Sequence, residues 1–443
     1  MISLLQQYPV LKRLRLLLGD IRLSVLLWAC VILGGTSQYI YTYKLPLYLI
    51  SLGMIGIILS SSKRRAFSTL VTLPNILISG FIGVFIIYSI PMSSGLWGSL
   101  EGRHLSVEGF KFMGEVPWMP LSLHPERTFL SLFDFLPIIA IALITMLSRN
   151  QKELLWAVYS LLSLAFISVI FGIGQMTFNS EAYSLYKISN IGRPIGFFSN
   201  VNHFACLCAM LIPIAFYMAA PNKARRSVAK RFLGAILTIT FVTGCVLSGS
   251  GAGYILLLAA VIVSPIIMFN TSKTFKLASL LMLAFIVILV TDFLFLSGEF
   301  SQIINKVTND GALSRGTAYQ TILSFRGEYG FFGIGPGAFE DVYKIHENES
   351  VIYSSYINQA HNDFLQIWLE FGVLGLLGIL MGLFALMRLC YQQIVQRERY
   401  GMVYLLALSM PILHSAVDYP FRTIAISGVF IFLLSLLSRR FSF

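Results

Sequence analysis

The chain has 443 residues, of which 56% are hydrophobic and 12% charged. No soluble domain carries so apolar a surface, so the composition excludes one and points to a polytopic membrane protein. The net charge of +12 is distributed between apolar runs, so membrane topology and attraction to anionic lipid account for it without a nucleic-acid partner.

A helix needs roughly 20 apolar residues to cross the hydrocarbon, and about twelve runs qualify. Before the first, Leu4–Leu18 interleaves leucines with Lys12, Arg13 and Arg15 and reads as an interfacial amphipathic helix. The small-residue cleavage site of a signal peptide is missing from the chain start, so the first span is expected to stay. Spans are expected at Leu23–Tyr39, Leu45–Ser61 and Leu73–Met92, followed by a polar connection over about 93–128 with Arg103, His104, His124, Glu126 and Arg127. Phe129–Leu147 and Leu154–Gln175 come next, then a second connection over about 176–202 that leads through Gly192–Arg193–Pro194 to Asn202 and His203. Four further runs, His203–Ala220, Phe232–Leu247, Gly253–Phe269 and Leu277–Phe295, precede the longest connection, 297–361. Its aromatics and glycines predict a folded, partly helical segment. Phe364–Met387, Tyr400–His414 and Pro420–Leu437 complete the set. The expected organisation is thus 1–296 with nine spans and two polar loops, 297–361 as a large loop, and 362–443 with three spans. The runs lack the alternation of a β-barrel.

Every second connection is basic: Lys63–Arg65, Arg149 with Lys152, Lys223–Arg231, Lys273 with Lys276, Arg388–Arg399 and Arg439 with Arg440. The positive-inside rule then puts both termini in the cytoplasm and the three polar loops on the far side. The five cysteines fall in or beside apolar runs and have neither metal-ligand nor disulfide-framework spacing. Asp134, Asp292, Glu370 and Asp418 are in or near apolar runs, mostly towards their far-side ends. Coupled transporters place such groups near mid-membrane, so this distribution favours interfacial chemistry.

Asn358–Asp363 is where the long polar segment meets a hydrophobic helix. A histidine there, His361, can reach a lipid-anchored group and a soluble one together. If the reacting atom is an anomeric carbon on a lipid diphosphate, a histidine base that takes the proton of an attacking sugar hydroxyl contributes roughly 10²–10⁴-fold in rate. Arginine suits the departing diphosphate, and Arg315 and Arg193 are the candidates. Free N–H groups at the start of the helix after His361 would add anion affinity. Asn362 or Asp363 would cap that helix or orient the imidazole. Each residue has a plainer reading: His361 as a cap, Arg315 paired with Asp310, Arg326 and Glu328 as a solvated pair, and Asn200 with Asn202 as a cap before His203. His414 and Asp418, four residues apart, form a structural hydrogen bond or take part in catalysis. His104, His124 and His346 have no evident partner. Diphosphate is already a good leaving group, so neither metal nor cofactor is expected, and no His/Asp/Glu spacing demands a metal.

These residues resemble a known group. The turn Gly333–Gly337, then Ala360–His361–Asn362–Asp363–Phe364–Leu365–Gln366 and Glu370–Phe371–Gly372–Val373–Leu374–Gly375, is similar to the carboxy-terminal signature of the O-antigen ligase and polymerase superfamily. Gly192–His203, Leu121–Thr128 and His414–Pro420 resemble other motifs of that group. The resemblance implies a bacterial inner-membrane glycosyltransferase of GT-C type with its active site facing the periplasm. Such an enzyme moves a glycan from undecaprenyl diphosphate to a saccharide acceptor, either the lipid A core or another lipid-linked repeat unit. His361 then matches the family's essential histidine and Arg315 an essential arginine. One departure is the turn Ser248–Gly253, which carries no charge where many ligases have arginine. This tilts the reading towards a polymerase or a related polysaccharide-assembly branch and leaves Arg193 as the substitute. A flippase or exporter of lipid-linked oligosaccharide is the leading non-enzyme alternative, and a hydrolase of the same lipid the enzymatic one.

Overall fold

The computed structural model describes residues 9–38, 41–61, 73–179, 181–220, 227–268, 311–347, 357–396 and 398–442. In chain order the helices are α1 (Pro9–Leu33), α2 (Tyr41–Ser61), α3 (Leu73–Ser89), α4 (Ser94–Gly98), α5 (His104–Phe112), α6 (Pro125–Ser131), α7 (Phe135–Leu147), α8 (Gln151–Phe178), α9 (Val201–Ala219), α10 (Val228–Leu247), α11 (Gly251–Met268), α12 (Gly311–Arg326), α13 (Phe339–His346), α14 (Asp363–Gln396), α15 (Arg399–His414) and α16 (Ile424–Ser438). Two short strands, β1 (Pro91–Met92) just after α3 and β2 (Met119–Pro120) in the first polar loop, pair antiparallel. The chain is an all-α polytopic membrane protein. Among the described residues, six helices are long and apolar enough to cross a bilayer, with shorter apolar helices at Ile21–Leu33, Thr42–Ile58, Ile78–Ser89 and Ile424–Ser438.

Each span expected from the sequence overlaps a helix except Leu277–Phe295, which lies outside the described residues, as does Asp292. Leu23–Tyr39 and Leu73–Met92 outrun their helices, which end at Leu33 and Ser89, and Phe129–Leu147 is divided between α6 and α7. The helix starts are written in short polar side chains that accept from exposed first-turn N–H groups. Asn150 accepts from Lys152, Asn200 from Asn202, and Ser227 from Lys230. The described part of the expected interfacial segment, from Pro9 onward, shares one helix with the first span, since α1 runs unbroken from Pro9 to Leu33.

At the centre stands α9, buried along almost its whole length, with α10, α11 and α15 packed around it. Its Ala205, Cys206, Cys208, Ala209 and Ala215 are small enough for neighbouring backbones to approach closely. A second layer places α1 against α8 and α16 against α7 and α1. Asp134, just before α7, is paired with Lys44 and Tyr48 of α2, so this charge holds two helices together.

The sequence reads Phe364–Met387 as one regular span, but α14 runs to Gln396 and is broken at Gly372, where φ is 55° and ψ −136°. Only glycine occupies that region readily. The break exposes carbonyls to the Phe331–Gly337 turn, which docks on it. Ile334 N donates to Leu369 O, Gly335 N to Glu370 O, and Val373 N to Phe331 O. The approach is close: a Cβ on Gly333 would lie 2.3 Å from Leu369 O.

Around that turn α12 and α13 form a small second core of Ala318, Ile322, Phe325, Phe339, Val342 and Tyr343. Arg103 ties the first polar loop to it, donating through Nη2 to Leu121 O and Gly333 O. Burial pushes the Arg103 guanidinium down to about 10, and it stays protonated at neutral pH. Arg127 bridges Glu340 and Asp341 of α13. Arg326 differs from the expected solvated pair with Glu328: it is buried, donates to Trp368 O and Gly330 O, and lies over the Trp368 ring. The peptide carbonyls freed by the helix break and turn outcompete Glu328 for it. His124 and His346 also acquire partners, His124 on Arg127 N and Asp341, and His346 on the Tyr329 hydroxyl.

Candidate active site

Four segments far apart in sequence meet at one end of the bundle: the start of α9, the α10–α11 turn, the start of α14, and the 415–422 connection after α15. Asp418 is their common point and is fully buried. Its Oδ2 accepts from Asn202 Nδ2 at 2.6 Å, and its Oδ1 from Tyr419 N at 3.0 Å. His361 Nδ1 is 3.3 Å from Oδ1, within ionic reach although not aligned for a full hydrogen bond. His414 Nε2 stands 3.7 Å from Oδ2. Burial opposes the charge on Asp418, but His361 at its Oδ1 and the surrounding imidazoles outweigh it. They hold the carboxyl well below the usual carboxylate range.

The Tyr419 ring meets His361 on one side and His203 on another, with centroids 4.8 and 5.1 Å apart. His203 is wholly buried at the start of the central helix, its ring 6.4 Å from that of His414. The sequence places Asn202 with His203, His361, and His414 with Asp418 in three separate motifs; the fold brings them together.

His361 itself sits at φ 50°, an uncommon left-handed conformation for a residue with a side chain. Its neighbours impose that turn. Tyr319 of α12 donates its hydroxyl to His361 O at 2.7 Å, and Asp363 N donates to both Ser415 O and Asp418 O. The imidazole is 25% exposed, with Nδ1 turned inward to Asp418, which leaves Nε2 as the nitrogen that can meet a substrate.

Asn362 caps α14 by accepting from Leu365 N, while its amide donates to Ala416 O. Asp363 does neither of the things expected of it. It is turned away from the imidazole and accepts from Ser415 Oγ, Phe421 N and Arg422 Nε. The expectation of free N–H groups at this helix start is corrected too: those of Asp363 and Leu365 are already bound within the chain. Arg422, which sequence reasoning passed over, also donates to Glu370 Oε2 at 2.9 Å and so pins the 415–422 connection to the short half of α14. Gln366 continues the network to Glu370, Gln359 and Ala360 N. The one signal for Arg422 was its place two residues beyond the His414–Pro420 motif.

Arg315 lies on α12, four residues before Tyr319; its side chain lies outside those described. Arg193 is half-buried in the 176–202 connection, its N–H bound to Asn190 O. The uncharged turn at 248–253 is part of the cluster: Ser250 Oγ donates to Asn202 Oδ1 at 2.7 Å and accepts from Gly253 N. Among the described residues, no group of three or more His, Cys, Asp or Glu side chains is arranged to hold a metal ion.

Residues 235–380 match the family model described as O-antigen ligase. That stretch contains residues 315 and 361 and the break at Gly372, though not the end of α14; Asn202, His414, Asp418 and Arg422 lie beyond its ends. No curated protein matches the chain.

Proposed function

We propose, from its place in the O-antigen ligase and polymerase superfamily, that this chain is a glycosyltransferase of that type. It transfers a glycan from undecaprenyl diphosphate to a saccharide hydroxyl, on the lipid A core or on another lipid-linked repeat unit. It works at the periplasmic face of a bacterial inner membrane, on a GT-C-like scaffold of about twelve spans. The observation that carries the reading is a partly exposed imidazole backed by a buried carboxylate: His361 with Nδ1 facing Asp418.

Asp418 fixes the His361 ring and favours the tautomer with the proton on Nδ1. Nε2 then accepts the proton of the acceptor hydroxyl as its oxygen attacks the anomeric carbon. The carbon–oxygen bond to diphosphate breaks on the opposite face, and the electron pair leaves with the lipid diphosphate. One displacement with one base inverts the anomeric centre, and neither a covalent intermediate nor a metal is called for. Arg315 and Arg193 are the proposed diphosphate ligands, since guanidinium offers paired donors to phosphate oxygens.

The test is the purified protein in lipid with an undecaprenyl-diphosphate oligosaccharide, with and without lipid A core acceptor. His361→Ala is expected to abolish transfer while donor binding stays near wild type. Loss of binding with unchanged turnover would refute the role of base. Free glycan as the product would instead identify a hydrolase.

A further inference from the structure

The first polar loop carries an exposed apolar surface that its own packing does not use. On α5, Val107 and Phe110 turn inward: the Phe110 ring is 6.1 Å from that of Trp97, and Val107 Cγ2 abuts Gly98. Leu105, Gly109 and Phe112, spaced four and three apart, fall on the opposite face. Leu105 is 54% exposed, Phe112 94%, and the adjoining Met113 and Trp118 are 73% and 69%. The surface is joined to a span. Trp118 precedes Met119, which pairs with Met92, two residues after the exposed Ile90; Ile86 and Ile87 at the end of α3 are exposed as well.

We infer that residues 94–118 form an interfacial element whose Leu105, Phe112, Met113 and Trp118 insert into the lipid surface at the His361 end of the bundle. Lipid is the occupant because the patch continues from the exposed face of a membrane helix. It also combines a short amphipathic helix with a tryptophan, the side chain enriched where hydrocarbon meets water. Its charges nearly cancel, with Glu101, Glu108 and Glu115 against Arg103 and Lys111, so apolar burial rather than attraction to anionic headgroups drives insertion. The element is not isolated from the site. Arg103, at the start of α5, holds Gly333 O, and the Gly333 turn holds the broken helix whose first residues follow His361. Insertion therefore sets the height of the catalytic end relative to the lipid surface.

The test places a nitroxide on a single cysteine at Phe112→Cys, and separately at Met113→Cys, in the full chain carrying Cys390→Ser; the other four cysteines are buried. The protein is reconstituted in phosphatidylcholine vesicles with and without phosphatidylglycerol. Collision rates with oxygen and with a water-soluble nickel chelate are compared with those at Ile170→Cys on a span and Gln320→Cys on the exposed side of α12. The oxygen-to-nickel ratio at 112 and 113 is expected to approach that at 170, several-fold above that at 320, and to change little with phosphatidylglycerol. A ratio equal to that at 320 overturns the inference. So does a low collision rate with both reagents, which would mean that protein covers the patch.

Discussion

Asp418 decides how His361 behaves, because a neutral imidazole can hold its proton on either nitrogen and only one tautomer leaves Nε2 to accept. Asp418→Asn keeps the shape but removes the charge that selects that tautomer. Transfer by this variant is expected to fall by roughly 10²-fold or more, with the KM for the donor little changed; initial rates over a range of donor concentrations check both. A pH effect accompanies it. The folded-state pKa of Asp418 is depressed, so ionised Asp418 contributes stability above the ordinary carboxylate pKa, and this is lost as pH falls through the folded value. Wild-type Tm should therefore drop more steeply below about pH 4 than that of Asp418→Asn, and thermal unfolding across that window measures the two slopes. At Arg315, alanine should raise KM and lower kcat together. Lysine should recover little of either, because one ammonium cannot reproduce paired guanidinium donors.

The element on which the site depends is the broken helix α14. Gly372 has φ 55°, and a Cβ there would stand 1.9 Å from Phe331 O. Gly372→Ala should cost roughly 1–3 kcal/mol for the backbone conformation alone, and more from the clash that pushes the Phe331–Gly337 turn away. Gly378, six residues on, meets nothing within 4 Å, so Gly378→Ala serves as the control and should leave Tm unchanged or slightly raised. Thermal unfolding in detergent together with transfer rates distinguishes them: Gly372→Ala should lose both stability and activity. The contrast marks what was legible in the sequence. Long apolar runs such as Val201–Ala219 and Gln151–Phe178 announce themselves, since lipid leaves no alternative to a helix. The break at Gly372 did not, because a glycine inside an apolar run reads as packing until the turn that docks on it is known. Asp363 was similarly opaque. Its position beside His361 suggested a direct role, whereas Ser415 and Arg422, more than fifty residues away, draw its carboxylate to themselves. The separate motifs holding Asn202, His361, His414 and Asp418 could each be read, but their convergence on one carboxylate is a property of the packing of α9 against α15.

Across the whole molecule, the helix ends that gather around Asp418 are those that the charge pattern assigns to one face, and the basic connections follow the opposite ends. Arg439, after α16, donates to the carbonyls of Thr145 and Ser148 at the end of α7, and Arg22 pairs with Glu153 near the start of α8. Cations at the ends of helices satisfy free carbonyls and favour the leaflet in which they are retained during insertion. This arrangement predicts which side of the membrane His361 faces. In the Cys390→Ser background, Glu328→Cys next to α12 should react with a membrane-impermeant maleimide once the outer membrane alone is permeabilised. Gln396→Cys, at the far end of α14, should react only after the inner membrane is opened. The two positions lie on either side of one span, so the reverse pattern would place the imidazole in the cytoplasm. There an undecaprenyl-linked glycan that has already crossed the membrane could not reach it, and the proposed reaction would lose its donor.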